Sequence, residues 1–108
     1  MPNPRRGEVA VVLGGRRYAL CLTLGALAEL EDAFGAADLP ALAERFASGR
    51  LSARDLLKLF AVALRGGGHA LADEEVAALA LDPGGVEALA EALGDCLAAA
   101  FGSAPANP

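Results

Sequence analysis

The chain has no Ile and no Trp, one Tyr, four Phe, two Cys, one His and one Lys. Each shortage excludes something. Few β-branched and aromatic residues count against an all-β fold. One His and two Cys cannot make a zinc finger of the usual spacing. Cys21 falls in an expected strand and Cys96 in an expected helix, so both read as small buried thiols. No apolar run reaches the roughly 18 residues of a transmembrane helix, so no membrane partner is expected. The apolar stretch at 9–13 is too short for a secretory core, which points to a cytoplasmic location. Acid, base and nucleophile never converge in one pattern. Ser48, Ser52, Ser103 and Thr23 stand in cap or tail contexts, and His69 reads as a solvated loop residue. Gly66-Gly67-Gly68 lacks the Lys and Ser/Thr of a phosphate loop and reads as a plain helix stop. The expectation is therefore a protein without enzymatic activity and without a cofactor or metal.

What the sequence does hold is Ala and Leu, 26 and 19 of the 108 residues. Both favour helix, and a chain of this length builds one core. The formal charge is −5, but its distribution matters more. Arg5, Arg6, Arg16 and Arg17 crowd the first 17 residues, whereas no Lys or Arg follows Arg65. A phosphate backbone demands a cationic surface. The helix-turn-helix pattern over 53–81 would present Asp73, Glu74 and Glu75 to DNA, so nucleic acid is disfavoured as a partner. The 48–52 loop between two helices lacks the alternating carboxylates of a calcium hand. The basic start and acidic end instead suit contact between proteins, including head-to-tail contact between copies.

The expected class is α+β, a two-stranded hairpin followed by about five helices. Its single domain covers 7–102, between a flexible basic arm at 1–6 and a loose tail at 103–108. Residues 8–13 and 16–22 alternate around Gly14-Gly15, the turn residues of a tight hairpin. The register pairs Val9 with Leu20, Val11 with Tyr18 and Leu13 with Arg16. Thr23 caps a helix over 24–34. Asp38 or Leu39 opens one that ends at Gly49, and Ser52 caps an apolar helix over 53–65 that forms the hub of the core. Its Asp55 is a loose substitute for the usual capping-box partner. Asp73 caps a helix over 74–81, and Asp82-Pro83 starts the last one. Ala10, Val12, Ala19 and Cys21 make the hairpin's second face apolar, which suits a partner. The candidate interaction residues are thus Arg5, Arg6, Ala10, Val12, Arg16, Arg17 and Ala19.

Four segments stand in a telling order: Asn3-Pro4-Arg5-Arg6-Gly7-Glu8-Val9, Leu22-Thr23-Leu24-Gly25-Ala26-Leu27-Ala28-Glu29-Leu30-Glu31, Leu51-Ser52-Ala53-Arg54-Asp55 and Leu64-Arg65-Gly66-Gly67-Gly68. In that order and spacing the chain resembles, over nearly its whole length, the small tail proteins of gene transfer agents, the phage-like particles of alphaproteobacteria. The resemblance implies a phage tail tube protein without enzymatic activity. A small, mostly helical member implies a tail-assembly chaperone or adaptor, which holds a tube or tape-measure protein, or another copy of itself. A structural tube component is the alternative, and a small DNA-associated regulatory module a second one.

Overall fold

Gly14 and Gly15 both take positive φ, 58° and 76°. That is the two-residue turn whose twist matches a hairpin. It joins β1 (Val9–Leu13) to β2 (Arg16–Leu20) in the antiparallel register expected from the alternation, Val9 to Leu20, Val11 to Tyr18 and Leu13 to Arg16. The structure is a computed structural model, and it describes residues 7–81 and 83–101. The arm at 1–6, the tail at 103–108 and Asp82 lie outside the described residues.

Five helices follow: α1 (Leu24–Phe34), α2 (Leu39–Ala47), α3 (Ala53–Gly66), α4 (Asp73–Leu81) and α5 (Gly85–Phe101). The architecture is α+β and mostly helical. Local chemistry starts three of the helices. The Ala26 N–H donates to Thr23 Oγ1 at 3.0 Å, and the Ala41 N–H donates to Asp38 Oδ1 at 2.9 Å. At α3 the box is complete rather than loose. The Asp55 N–H donates to Ser52 Oγ at 3.1 Å, and the Ser52 N–H donates to Asp55 Oδ2 at 3.0 Å. The shorter Asp side chain therefore reaches as far as the usual Glu.

Two later boundaries differ from the sequence reading. α4 begins at Asp73 itself, because Glu75 Oε1 accepts from the Ala72 N–H at 2.8 Å and so moves the cap back one residue. α5 begins only at Gly85, since Gly84 at φ 76° still belongs to the turn. The buried side of α5 is narrow. Leu89, Ala92, Leu93 and Cys96 are buried, while Val86, Ala90 and Ala100 face solvent.

α3 is the hub. Six consecutive residues, Leu59, Phe60, Ala61, Val62, Ala63 and Leu64, are buried. No ordinary amphipathic stripe buries a continuous run, so this helix is covered from several sides: by α1, α4 and α5 and by β2. Val11, Leu13, Tyr18 and Leu20 supply the hairpin's share of the core. Phe34, Phe46 and Phe101 meet edge-to-face, with centroids 5.7 and 6.3 Å apart, and tie α1, α2 and α5 together. On the surface Arg65 and Lys58 of α3 both reach Glu29 of α1. The Arg65 hydrogen bond chiefly holds the Glu29 carboxyl below its usual range, with Lys58 adding to it and desolvation opposing. These groups are exposed, so the pairs orient α1 more than they stabilise it.

Both cysteines are buried, as expected. Burial, reinforced by Cys21 and Asp95, pushes the Cys96 thiol up to about 12. The folded chain then keeps a proton that an unfolded thiol releases near 9.0. This contribution to stability is complete below that value and is lost as pH rises toward about 12. Thermal melts should show falling stability over that alkaline window, with a shallower fall in Cys96→Ala.

Candidate interaction surface

The hairpin's two edges are treated differently. From Ala19 onward the edge of β2 is closed by the C-terminal end of α3. The Cys21 N–H donates to Ala63 O at 2.9 Å, and the Ala19 N–H donates to His69 Nε2 at 3.0 Å. Gly66 and Gly67 permit this approach. A Cβ on Gly66 would sit 2.0 Å from Cys21 O, and one on Gly67 would sit 1.9 Å from Ala19 O. Gly68, at φ 96°, then turns the chain. The His69 N–H returns to Leu64 O at 2.9 Å and the Gly68 N–H to Arg65 O at 3.0 Å, which is a Schellman closure. The three glycines do more than stop a helix.

That closure places His69, which is half-buried rather than a solvated loop residue. Its ring packs edge-on to Tyr18, with centroids 5.2 Å apart at 68°. Arg16 covers the same tyrosine, its Cζ 5.4 Å from the ring centroid. Its Nε2 is the acceptor of the Ala19 hydrogen bond. The sole histidine therefore serves the sheet.

The candidate residues separate accordingly. Ala10, Val12, Arg17 and Ala19 lie on the outward face of the hairpin; Val12 is 59% exposed, and Ala19 is half-covered beside His69. Arg16 lies on the other face, over Tyr18. Cys21 does not continue the outward face. β2 ends at Leu20, and the backbone of Cys21 is drawn to Ala63, which buries the residue. Arg5 and Arg6 lie outside the described residues.

The edge of β1 is open. The Ala19 N–H leads away from β1 to His69, so Ala19 and its partner Ala10 do not exchange ladder bonds. The N–H and C=O of Ala10 therefore point outward, and those of Val12 do the same two residues on. No strand pairs with this side among the described residues.

An apolar groove of about 330 Å³ also opens between α3, α4 and the start of α5, with Leu56, Leu57, Phe60 and Val86 among its lining. Leu81 stands beside it at 85% exposure. The sequence reading missed this groove, because helical periodicity marks both Leu56 and Leu57 simply as core. Among the described residues no group of three His, Cys, Asp or Glu is placed to hold a metal ion. No described helix is long and apolar enough to cross a membrane.

A family model described as phage tail tube protein, GTA-gp10, matches residues 6–103. The chain belongs to that family. The match covers the hairpin, all five helices and the α3 closure against β2, in agreement with a gene transfer agent tail protein. Comparisons with curated proteins and with solved structures find no match.

The closure makes a paired prediction. Gly67→Ala forces a methyl against the Ala19 carbonyl and should cost about 1–3 kcal/mol in urea unfolding. Gly94→Ala on α5 meets nothing within 4 Å and should gain up to about 1 kcal/mol from helix propensity. His69→Phe should keep much of the packing on Tyr18, yet lose about 1–3 kcal/mol by leaving the Ala19 N–H without an acceptor.

Proposed function

We propose that this GTA-gp10 family member is a tail-assembly chaperone or adaptor, which binds other tail proteins before they assemble. The observation that carries this reading is the asymmetry of the sheet. A β-rich wall that runs continuously from subunit to subunit requires two free edges on every copy. This hairpin offers β1 alone, because α3 and His69 occupy the edge of β2. It has two strands of five residues each, and its remaining elements are helices. A two-stranded hairpin with one outward apolar face gains stability from cover, and a binding role supplies it.

The partners on this reading are tube or tape-measure proteins, or a second copy. The role is one of binding without catalysis. The engagement of His69 with Ala19 and Tyr18 supports that, because it uses the side chain best suited to proton transfer near neutrality. The acidic opening of α4, with Asp73, Glu74 and Glu75, supports a protein partner over nucleic acid. The place of action is the cytoplasm, during morphogenesis.

A structural tube component is the second reading, favoured by the description of the family itself. Such a tube would be joined through helices and the α3–α4 groove rather than through a continuous sheet. Quantitative mass spectrometry of purified particles separates the two. The chaperone reading expects this chain in producing cells and its absence from mature tails. Tail stoichiometry at one copy per tube subunit would contradict it and establish the structural role.

A further inference from the structure

We propose that the open edge of β1 is a strand-addition site. Its occupant is an extended segment of a partner protein, apolar at alternate positions and acidic at the end that reaches the Gly14-Gly15 turn. The inference deepens the chaperone reading and rests on it for the identity of the partner as another protein.

The backbone argument comes first. Ala10 and Val12 present their N–H and C=O groups away from β2, and among the described residues neither finds a backbone or side-chain partner on that side. Exposed edges are normally guarded by Pro, by charges or by a bulge. β1 reads Val-Ala-Val-Val-Leu and holds none of these residues. The same hairpin closes its other edge so tightly that a methyl on Gly67 would not fit. The edge of β2 is occupied from Ala19 onward, whereas β1 is unguarded along its length, so β1 is the side that offers a continuous row for pairing.

The occupant follows from what surrounds that edge. A row of alternating donors and acceptors is matched by extended backbone, which excludes a docked helix. A second copy adding its own β1 antiparallel is disfavoured by α5. That helix packs against β1 and touches β2 little. Paired β1 strands would lie about 4.8 Å apart, less than the roughly 8–10 Å that the two α5 helices packed against them need. A partner strand without a helix beneath it meets no such obstacle. Its side chains on the outward face would lie beside Ala10 and Val12, which selects apolar residues at alternate positions. At the turn, Arg17 is exposed on the outward face and Arg16, over Tyr18, is exposed on the other, so that end of the hairpin carries two positive charges. Acidic residues at that end of the incoming strand would be attracted there.

The test uses the full chain and a fluorescein-labelled peptide of alternating Val and Thr led by Asp-Asp, with a Lys-Lys-led version as its charge control. Fluorescence anisotropy should show binding of the Asp-led peptide, weakened about tenfold or more with the Lys-led one. Val12→Pro should abolish binding. The Val12 N–H takes no part in the β1–β2 ladder, so this substitution spares the hairpin. Circular dichroism should confirm the fold, and Ala10→Pro provides a second variant if the first fails to fold. Arg16→Glu with Arg17→Glu should reverse the charge preference. Absence of binding, equal binding of both peptides, or binding that survives both folded proline variants would overturn the proposal. So would a dimer in sedimentation that Val12→Pro dissolves, since a second copy would then fill the edge. A chain found stoichiometrically in particles, with peptide binding intact, would overturn the chaperone reading and leave the edge site standing.

Discussion

The close approach of the α3 C-terminus to the edge of β2 is the constraint on which the molecule depends. Two backbones meet there without side chains between them, because residues 66 and 67 are glycines. The contact ties a marginal element to a stable one. A hairpin of two five-residue strands has little independent stability. Here its apolar face joins α3 and α5 in the core, and two of its outer backbone donors find acceptors on Ala63 and His69. Fixing β2 in this way fixes β1 through the ladder. The outward groups of the hairpin are thus positioned in part by a helix end more than forty residues away in the chain.

The functional consequence is directional. Occupying β2 from Ala19 onward leaves β1 as the side with a continuous free edge. The exposed arginines stand at the turn, whereas α4 opens with three acids and no cation follows Arg65. A molecule built this way has distinct ends and a distinct open side. Those properties suit a protein that must hold a partner in one orientation during assembly, as membership of the tail tube family places it among tail proteins.

Local signals were well legible in the sequence and remote ones were not. Gly14-Gly15 between two alternating segments specified the turn and the register, because a one-residue slip would turn the large apolar residues outward. Thr23, Asp38 and Ser52 marked three helix starts by the chemistry of their own side chains. The functions of Gly66, Gly67 and His69 were hidden. Each depends on a partner about fifty residues away, and a helix-stopping Gly looks the same whether or not a strand lies against it. Cys21 follows the alternation on paper, yet its backbone is drawn to Ala63 and the strand ends at Leu20, two residues short of the expected end. The opening of α5 lies later than expected because Asp82-Pro83 has the pattern of a helix start, whereas the left-handed Gly84 keeps Pro83 in the turn before Gly85. The outward face of Ala10, Val12 and Arg17 was legible as a surface, but its open edge was not. Strand order and the sealing of the opposite edge are properties of the folded molecule.

Residue-resolved amide hydrogen exchange on the free chain tests the central asymmetry most directly. The amides of Ala19 and Cys21, held by His69 and Ala63, should exchange slowly, and those of Ala10 and Val12 should exchange rapidly at the open side. Comparable rates for the two pairs, or protection of Ala10 and Val12 above that of Ala19 and Cys21, would contradict a hairpin sealed by α3 on one edge and open on the other.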